Sequence, residues 1–171
     1  LNEVEKICED IDAFATITLG QRHILFEMGE TELICRRLEG DFLDYKNAIP
    51  RRNPISVTVD TKAMLESLDR VSVVISEKLK SPVRCIFEQD RVLLSAKTAN
   101  GDAKDVCRID GDGQGLEIGF NNRYLMDALR FAPADELKLE LNTGISPAIL
   151  VPTDGEESFL YMVLPVRLKA Q

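Results

Sequence analysis

A chain of 171 residues that is 44% hydrophobic and 29% charged can bury a sizeable core, which excludes a disordered segment. Its apolar stretches are broken by charges every few residues and its first residues carry acids, so neither a membrane span nor a signal peptide is read and a cytoplasmic protein is expected. A formal net charge of −8 repels phosphate on average, so any contact with DNA is expected to be local, weak or topological.

In chain order, Leu1, Val4, Ile7 and Cys8 make a helical stripe, and Phe14 to Leu19, Ile24 to Phe26 and Leu33 to Arg37 read as strands. This first unit lacks a leading strand, which would leave a sheet edge open, so the chain is expected to begin inside a fold, as a fragment or processed product. Asn53-Pro54, after Arg51 and Arg52, reads as the linker, because the residue before a proline is pushed out of the helical region and the composition turns polar. The expected domains are therefore 1–52 and 53–171.

A complete unit follows: Ile55 to Val59 as strand, Thr61 to Val74 as helix, then Val83 to Phe87, Val92 to Ala96 and Val106 to Ile109 as strands. The pattern then repeats, with Leu116 to Phe120 as strand, Asn122 to Phe131 as helix, and Leu137 to Leu141, Ala148 to Val151 and Phe159 to Leu164 as strands. Two copies of one β-α-β-β-β unit predict an internally duplicated α+β domain. Met64, Leu65, Leu68 and Val71 form the inward stripe of the first helix, and Tyr124, Leu125, Ala128 and Leu129 that of the second. Lys62, Glu66 and Asp69, and Arg123, Asp127 and Arg130, mix both signs on the opposite faces and read as solvated.

Candidate chemistry is sparse. Cys8, Cys35, Cys85 and Cys107 form no Cys-x-x-Cys pair and have only His23 as a nitrogen ligand, so buried free thiols are expected and no metal. Gly111-Asp112-Gly113-Gln114-Gly115 lies between strands and opens no helix, so a hairpin is expected there in place of a phosphate loop. His23 sits at a turn with no nucleophile motif nearby, and Glu156-Glu157 lies in a polar turn where a carboxylate does no chemistry. No catalytic residue and no cofactor are expected.

What remains is recognition. In the closing stretch Tyr161-Met162-Val163-Leu164-Pro165-Val166-Arg167-Leu168, Met162, Leu164 and Val166 alternate with Val163 and Pro165, so one set faces the core and the other a groove. A pocket taking two or three apolar side chains at ~1.5–3 kcal/mol each, less ordering costs, gives roughly micromolar affinity for a short peptide.

The order and spacing of Phe42-Leu43-Asp44-Tyr45, Arg70-Val71-Ser72-Val73-Val74, Ser76-Glu77-Lys78, Glu117-Ile118-Gly119-Phe120-Asn121 with Tyr124, and the closing stretch resemble the bacterial sliding clamp family, the beta subunit of DNA polymerase III. The resemblance implies the DNA clamp fold, with antiparallel sheets outside and helices inside. It also implies that the chain covers the second half of the middle domain and the whole last domain of a three-domain subunit. Two such subunits close head to tail into a homodimeric ring around duplex DNA, as a non-catalytic processivity factor. Partners implied are the DNA polymerase III alpha subunit, the clamp loader, and other polymerases and repair proteins that dock through a linear motif.

Carried over by position, the peptide pocket would use Leu43, Asn47, Ala48, Leu79, Asn121, Tyr124, Ile145 and Pro147, with Met162, Val163, Leu164, Pro165, Val166 and Arg167 from the tail. The ring interface would use Val73 and Val74, which otherwise read as core valines, with Asp102 and Asp105 facing bases of the neighbour. Leu43 replaces a usual proline, Leu164 and Val166 replace usual methionines, and Lys169-Ala170-Gln171 extends past the usual end, which bears on partner preference. The runner-up is a free-standing clamp-fold peptide-binding module that does not encircle DNA, and a small α+β hydrolase dependent on His23 comes third.

Overall fold

The computed structural model describes residues 2–8, 14–50, 52–75, 81–156 and 158–168. Leu1, Arg51, Ser76, Glu77, Lys78, Leu79, Glu157 and the extension from Lys169 to Gln171, all invoked above, lie outside the described residues. Contacts divide the chain into two units, Leu1–Asp44 and Tyr45–Gln171. In the first, helix α1 (Asn2–Cys8) lies against the second strand of a three-stranded antiparallel sheet, β1 (Ala15–Leu19), β2 (His23–Met28) and β3 (Thr31–Arg36), paired in sequence order. Alternation along β2 buries Phe26 and Met28, and Cys8 Sγ lies 3.1 Å from Met28 Sδ.

The second unit begins with a single helical turn, α2 (Tyr45–Ala48), and then β4 (Ile55–Asp60), whose Ile55, Val57 and Val59 point into the core. Asp60 ends that strand and caps α3 (Thr61–Ser72), accepting a 2.6 Å hydrogen bond from the Ala63 amide. The expected stripe is present: Met64, Leu68 and Val71 are buried and Leu65 packs half-buried against them. The long strands β5 (Val83–Thr98) and β6 (Gly101–Phe120) follow, then α4 (Asn122–Arg130), β7 (Glu136–Leu141), β8 (Ala148–Pro152) and β9 (Tyr161–Val163). They form a six-stranded antiparallel sheet in the order β5-β6-β4-β7-β8-β9, with α3 and α4 packed on each other and α3 on β5 and β6. Leu68, Phe87, Phe120, Leu125, Leu137 and Leu139 meet in one core. Among the described residues no helix is long and apolar enough to cross a membrane.

Several expectations change. The breaks read at Glu88–Arg91 and at the glycine run do not end their strands. Register shifts at Phe87/Gln89 and Gln89/Arg91, with Asp90 at φ 57°, let β5 pair with β6 along its length. The run Gly111–Gly115, expected as a hairpin, bends β6 from within: Gly111, Gln114 and Gly115 take positive φ, and the Asp112 carboxylate accepts from the Gln114 amide at 2.8 Å. Gly113 is there because a β-carbon would lie 2.3 Å from Phe87 Cβ.

Tyr124, placed in the inward stripe by periodicity, is 63% exposed, and Met126 takes the buried place. All four cysteines are free, but only Cys85 and Cys107 are buried; Cys35 is half-buried and Cys8 exposed. Burial pushes both buried thiols up, which disfavours their reactive thiolates.

Candidate functional site: a docking surface built around residues 117–121

Three elements converge on the end of β6: the tail, the turn before β8 and α4. Gly119 accepts a 2.7 Å hydrogen bond from the Val166 amide, and Phe120 bridges to Pro165, so the tail is sewn to β6 beyond the end of β9. The fit is close: a β-carbon at Gly119 would lie 2.6 Å from Leu168 Cδ2 and 2.7 Å from the Val166 carbonyl oxygen. The turn before β8 approaches as tightly, since a β-carbon on Gly144 would lie 2.6 Å from the Glu117 carbonyl oxygen. That turn is held by the Ser146 amide on Thr143 O at 3.1 Å and by the two hydroxyls at 2.7 Å. Asn121 then caps α4, its side-chain oxygen accepting from the Arg123 amide at 3.1 Å.

This assembly holds most of the expected docking residues in one unit. Met162 and Val163 pair with Ile149 and Ala148 on β8, and Val163 is buried while Met162 is half-buried. Pro165 and Val166 are half-buried, Leu164 is 61% exposed, and Arg167 is exposed. Ile145, at 75% exposure, tops the turn that ends in Pro147, and Tyr124 projects from the first turn of α4. The Tyr161 hydroxyl donates to Phe131 O at 2.8 Å, which ties β9 to the end of α4. Exposed Tyr124, Ile145 and Leu164 are thus large apolar side chains on a scaffold fixed by backbone hydrogen bonds, an arrangement suited to receiving apolar side chains of a peptide. Asn47 and Ala48 are exposed on α2 of the same unit, and Leu43 is exposed in the first unit. Leu79 lies outside the described residues.

The expected interface valines separate. Val73 is 84% exposed just past α3, whereas Val74 packs half-buried against the core and its carbonyl accepts from Thr98 Oγ1 at 2.9 Å. The acids also differ. Asp102 is exposed and faces Lys97 in the β5–β6 register. Asp105 is engaged within the chain by Arg70, with Nη2 at 2.7 Å and Nε at 2.8 Å from Oδ2. Burial alone would raise the Asp105 pKa, but hydrogen bonds from the Val106 amide, Ser67 and Arg70, with the guanidinium charge, hold it below its ordinary value. The residues that sequence reasoning missed are Gly119, where the tail seats, and Arg70, whose partner is distant in sequence.

Residues 46–167 match the family described as the DNA polymerase III beta subunit, C-terminal domain. The beta sliding clamp of Synechocystis sp. is 32% identical over 155 residues, which is 90% of this chain and 39% of that protein. The beta sliding clamp of Staphylococcus aureus is 31% identical over 169 residues, 98% of this chain and 45% of that protein. Among solved structures, the sliding clamp (DNA polymerase III subunit beta) from Bartonella birtlesii bound to griselimycin matches with a TM-score of 0.84 at 30% identity, covering 98% of this chain and 45% of that one. The chain therefore spans less than half the length of these relatives.

Proposed function

Because the chain belongs to the family of DNA polymerase III beta subunits, whose C-terminal domain it carries and whose clamp fold it shares, we propose that it acts as the C-terminal part of a sliding clamp subunit. In this reading two subunits close head to tail around duplex DNA in the cytoplasm and hold a polymerase on its template without catalysing a reaction. The domains would divide as the second half of a middle domain, 1–52, and a last domain, 53–171. The family match over residues 46–167 carries the reading. The charge supports it: at −8 the chain repels phosphate on average, and a closed ring needs no tight contact to stay on DNA.

The docking surface would receive a short apolar motif from the DNA polymerase III alpha subunit, the clamp loader, and other polymerases and repair proteins. Leu164, Tyr124 and Ile145 would supply its apolar contacts, with Asn121, Pro147, Met162, Val166 and Arg167 framing them and Asn47 and Ala48 contributing from the same unit. Val73, with Asp102, would meet the neighbouring subunit.

The test is retention of the intact protein on nicked circular DNA against the same DNA linearised, after loading by its clamp loader and a salt wash. Retention on circles with loss from linear ends is expected. Equal loss from both, with loading verified using a reference clamp, would leave the free-standing peptide-binding module as the better account.

A further inference from the structure

Asn100 is the only asparagine in the sequence that precedes a glycine. Thr98 and Gly101 are cross-strand partners, so Ala99 and Asn100 alone make the turn between β5 and β6. Both turn residues and Gly101 are exposed. Gly101 takes φ 136°, a conformation that residues with a β-carbon rarely adopt, and a β-carbon there would meet nothing nearer than Val74 Cγ1 at 4.0 Å. The Asn100 backbone amide donates to Thr98 Oγ1 at 3.0 Å, and that hydroxyl donates to Val74 O at 2.9 Å, which ties the turn to the end of α3. Among the described residues no hydrogen bond engages the Asn100 carboxamide.

Other asparagines are held. Asn121 accepts from the Arg123 amide, Asn122 donates to Met126 Sδ at 3.2 Å, Asn142 donates to Arg52 O at 3.4 Å, and Asn53 precedes a proline, which has no amide hydrogen. An unheld carboxamide beside an unhindered amide is set for one intramolecular reaction. The Gly101 backbone nitrogen attacks Asn100 Cγ, the carbon–nitrogen bond of the carboxamide breaks, and the displaced proton leaves through solvent with ammonia, closing a succinimide ring. Water then adds to either ring carbonyl. Opening at the former side-chain carbonyl gives aspartate; opening at the backbone carbonyl gives isoaspartate, which routes the main chain through the side chain and lengthens it by one methylene. A turn of two residues between fixed partners has no slack for that methylene. Ring closure requires the Thr98–Gly101 pairing to open, so its rate follows fraying of the tip. The reaction needs only water and this turn, and no residue of the docking surface takes part.

We propose that Asn100-Gly101 is a self-modification site, which deamidates through a succinimide to isoaspartate and so breaks the tie that the turn makes, through Thr98, to the end of α3. The chain is incubated at mildly alkaline pH in heavy-oxygen water, digested in ordinary water and mapped by mass spectrometry, so that conversion before digestion carries the label. Asn100 should convert about tenfold or more ahead of Asn121, Asn122 and Asn142. The product should accept a labelled methyl group from S-adenosylmethionine in the presence of an isoaspartyl carboxyl methyltransferase. Thr98→Val keeps the β-branched shape and removes the tie, so it should speed conversion severalfold. Amide exchange near the tip, at Ala103 and Ile75, should rise severalfold in the aged chain, whereas Asn100→Asp, which adds the charge without the methylene, should match the parent. Conversion of Asn100 no faster than of the other three, absence of isoaspartate, an unchanged rate in Thr98→Val, or equal exchange in the aged chain and Asn100→Asp would each overturn the proposal.

Discussion

Replacing Gly119 with alanine tests whether the tail is seated as described. No positive φ demands glycine there, so the cost is steric. A β-carbon would meet Leu168 Cδ2 at 2.6 Å and the Val166 carbonyl oxygen at 2.7 Å, and contacts that short force something to move. Strand β6 is paired with β5 from Leu116 through Phe120, whereas the tail is held chiefly by the Val166 amide on Gly119 O and the Phe120–Pro165 bridge, so the tail should lift. Losing that hydrogen bond costs about 1 kcal/mol. Exposing two half-buried aliphatic side chains, Val166 and Leu168, costs about 1 kcal/mol each. Alanine recovers about 0.5–1 kcal/mol by restricting the unfolded chain. The net is about 2 kcal/mol, or roughly 30-fold more frequent opening of the tail. Amide hydrogen exchange should show Val166 exchanging about 30-fold faster while amides of β4 and β7 are little changed. Unchanged exchange at Val166 in a well-folded variant would refute the seating.

Leu164→Asp should abolish binding of a polymerase-derived motif peptide while leaving the melting temperature within a degree or two, since exposed substitutions usually stay within about 0.5 kcal/mol. Equal affinity, measured by calorimetry, would remove Leu164 from the docking surface. Val73→Arg in the intact protein should shift a ring toward monomers at an exposed position that the core does not need, and an unchanged sedimentation coefficient would refute its interface role. For Asp105 the folded pKa lies below the ordinary value near 3.8, so its contribution is full above that value and is lost as pH falls through the depressed one. Asp105→Asn should therefore lower stability near pH 7 by a few tenths to about 1 kcal/mol. Its denaturation midpoint should converge on the parent's in acid well below pH 3.8, and a gap constant with pH would show that the charge is not what matters.

The sequence made most elements of the second unit legible because their side chains sort cleanly by face. Ile55, Val57 and Val59 alternate with polar residues, and Met64, Leu68 and Val71 recur at helical spacing. It misled where one residue satisfied a period for another reason. Tyr124 falls beside Leu125 and Ala128 on the helical wheel, yet it projects outward, and the placement inward competed with a docking role that resemblance assigned to the same residue. The glycine run looked like a turn because glycine marks turns, but close approach of Gly113 to Phe87 also requires it. The Arg70–Asp105 pair joins a helix to a strand far along the chain, which no local pattern reveals.

The two helices bear on how such a protein would hold DNA. Lys62, Arg123 and Arg130 are exposed on α3 and α4, which pack on each other. Glu66 and Asp69 share the exposed surface of α3, and Asp127 lies 3.9 Å from Arg123 and 3.7 Å from Arg130. The positive charge of α4 is therefore partly neutralised within the helix before any phosphate arrives. Each phosphate contact that is not made leaves its counterion in place and removes a factor from the affinity, so a helical surface of mixed sign should grip DNA weakly. Weak grip is a defect in a protein that must find a site and a merit in one that must travel. For a ring it leaves retention to topology and mobility to the lack of strong local contacts. Asp127→Asn would free both arginines; if these helices face the duplex, it should slow diffusion of the loaded ring along DNA, most at low salt, without changing its lifetime on closed circles. A ring whose diffusion is unaffected at every salt concentration would place α4 away from the duplex.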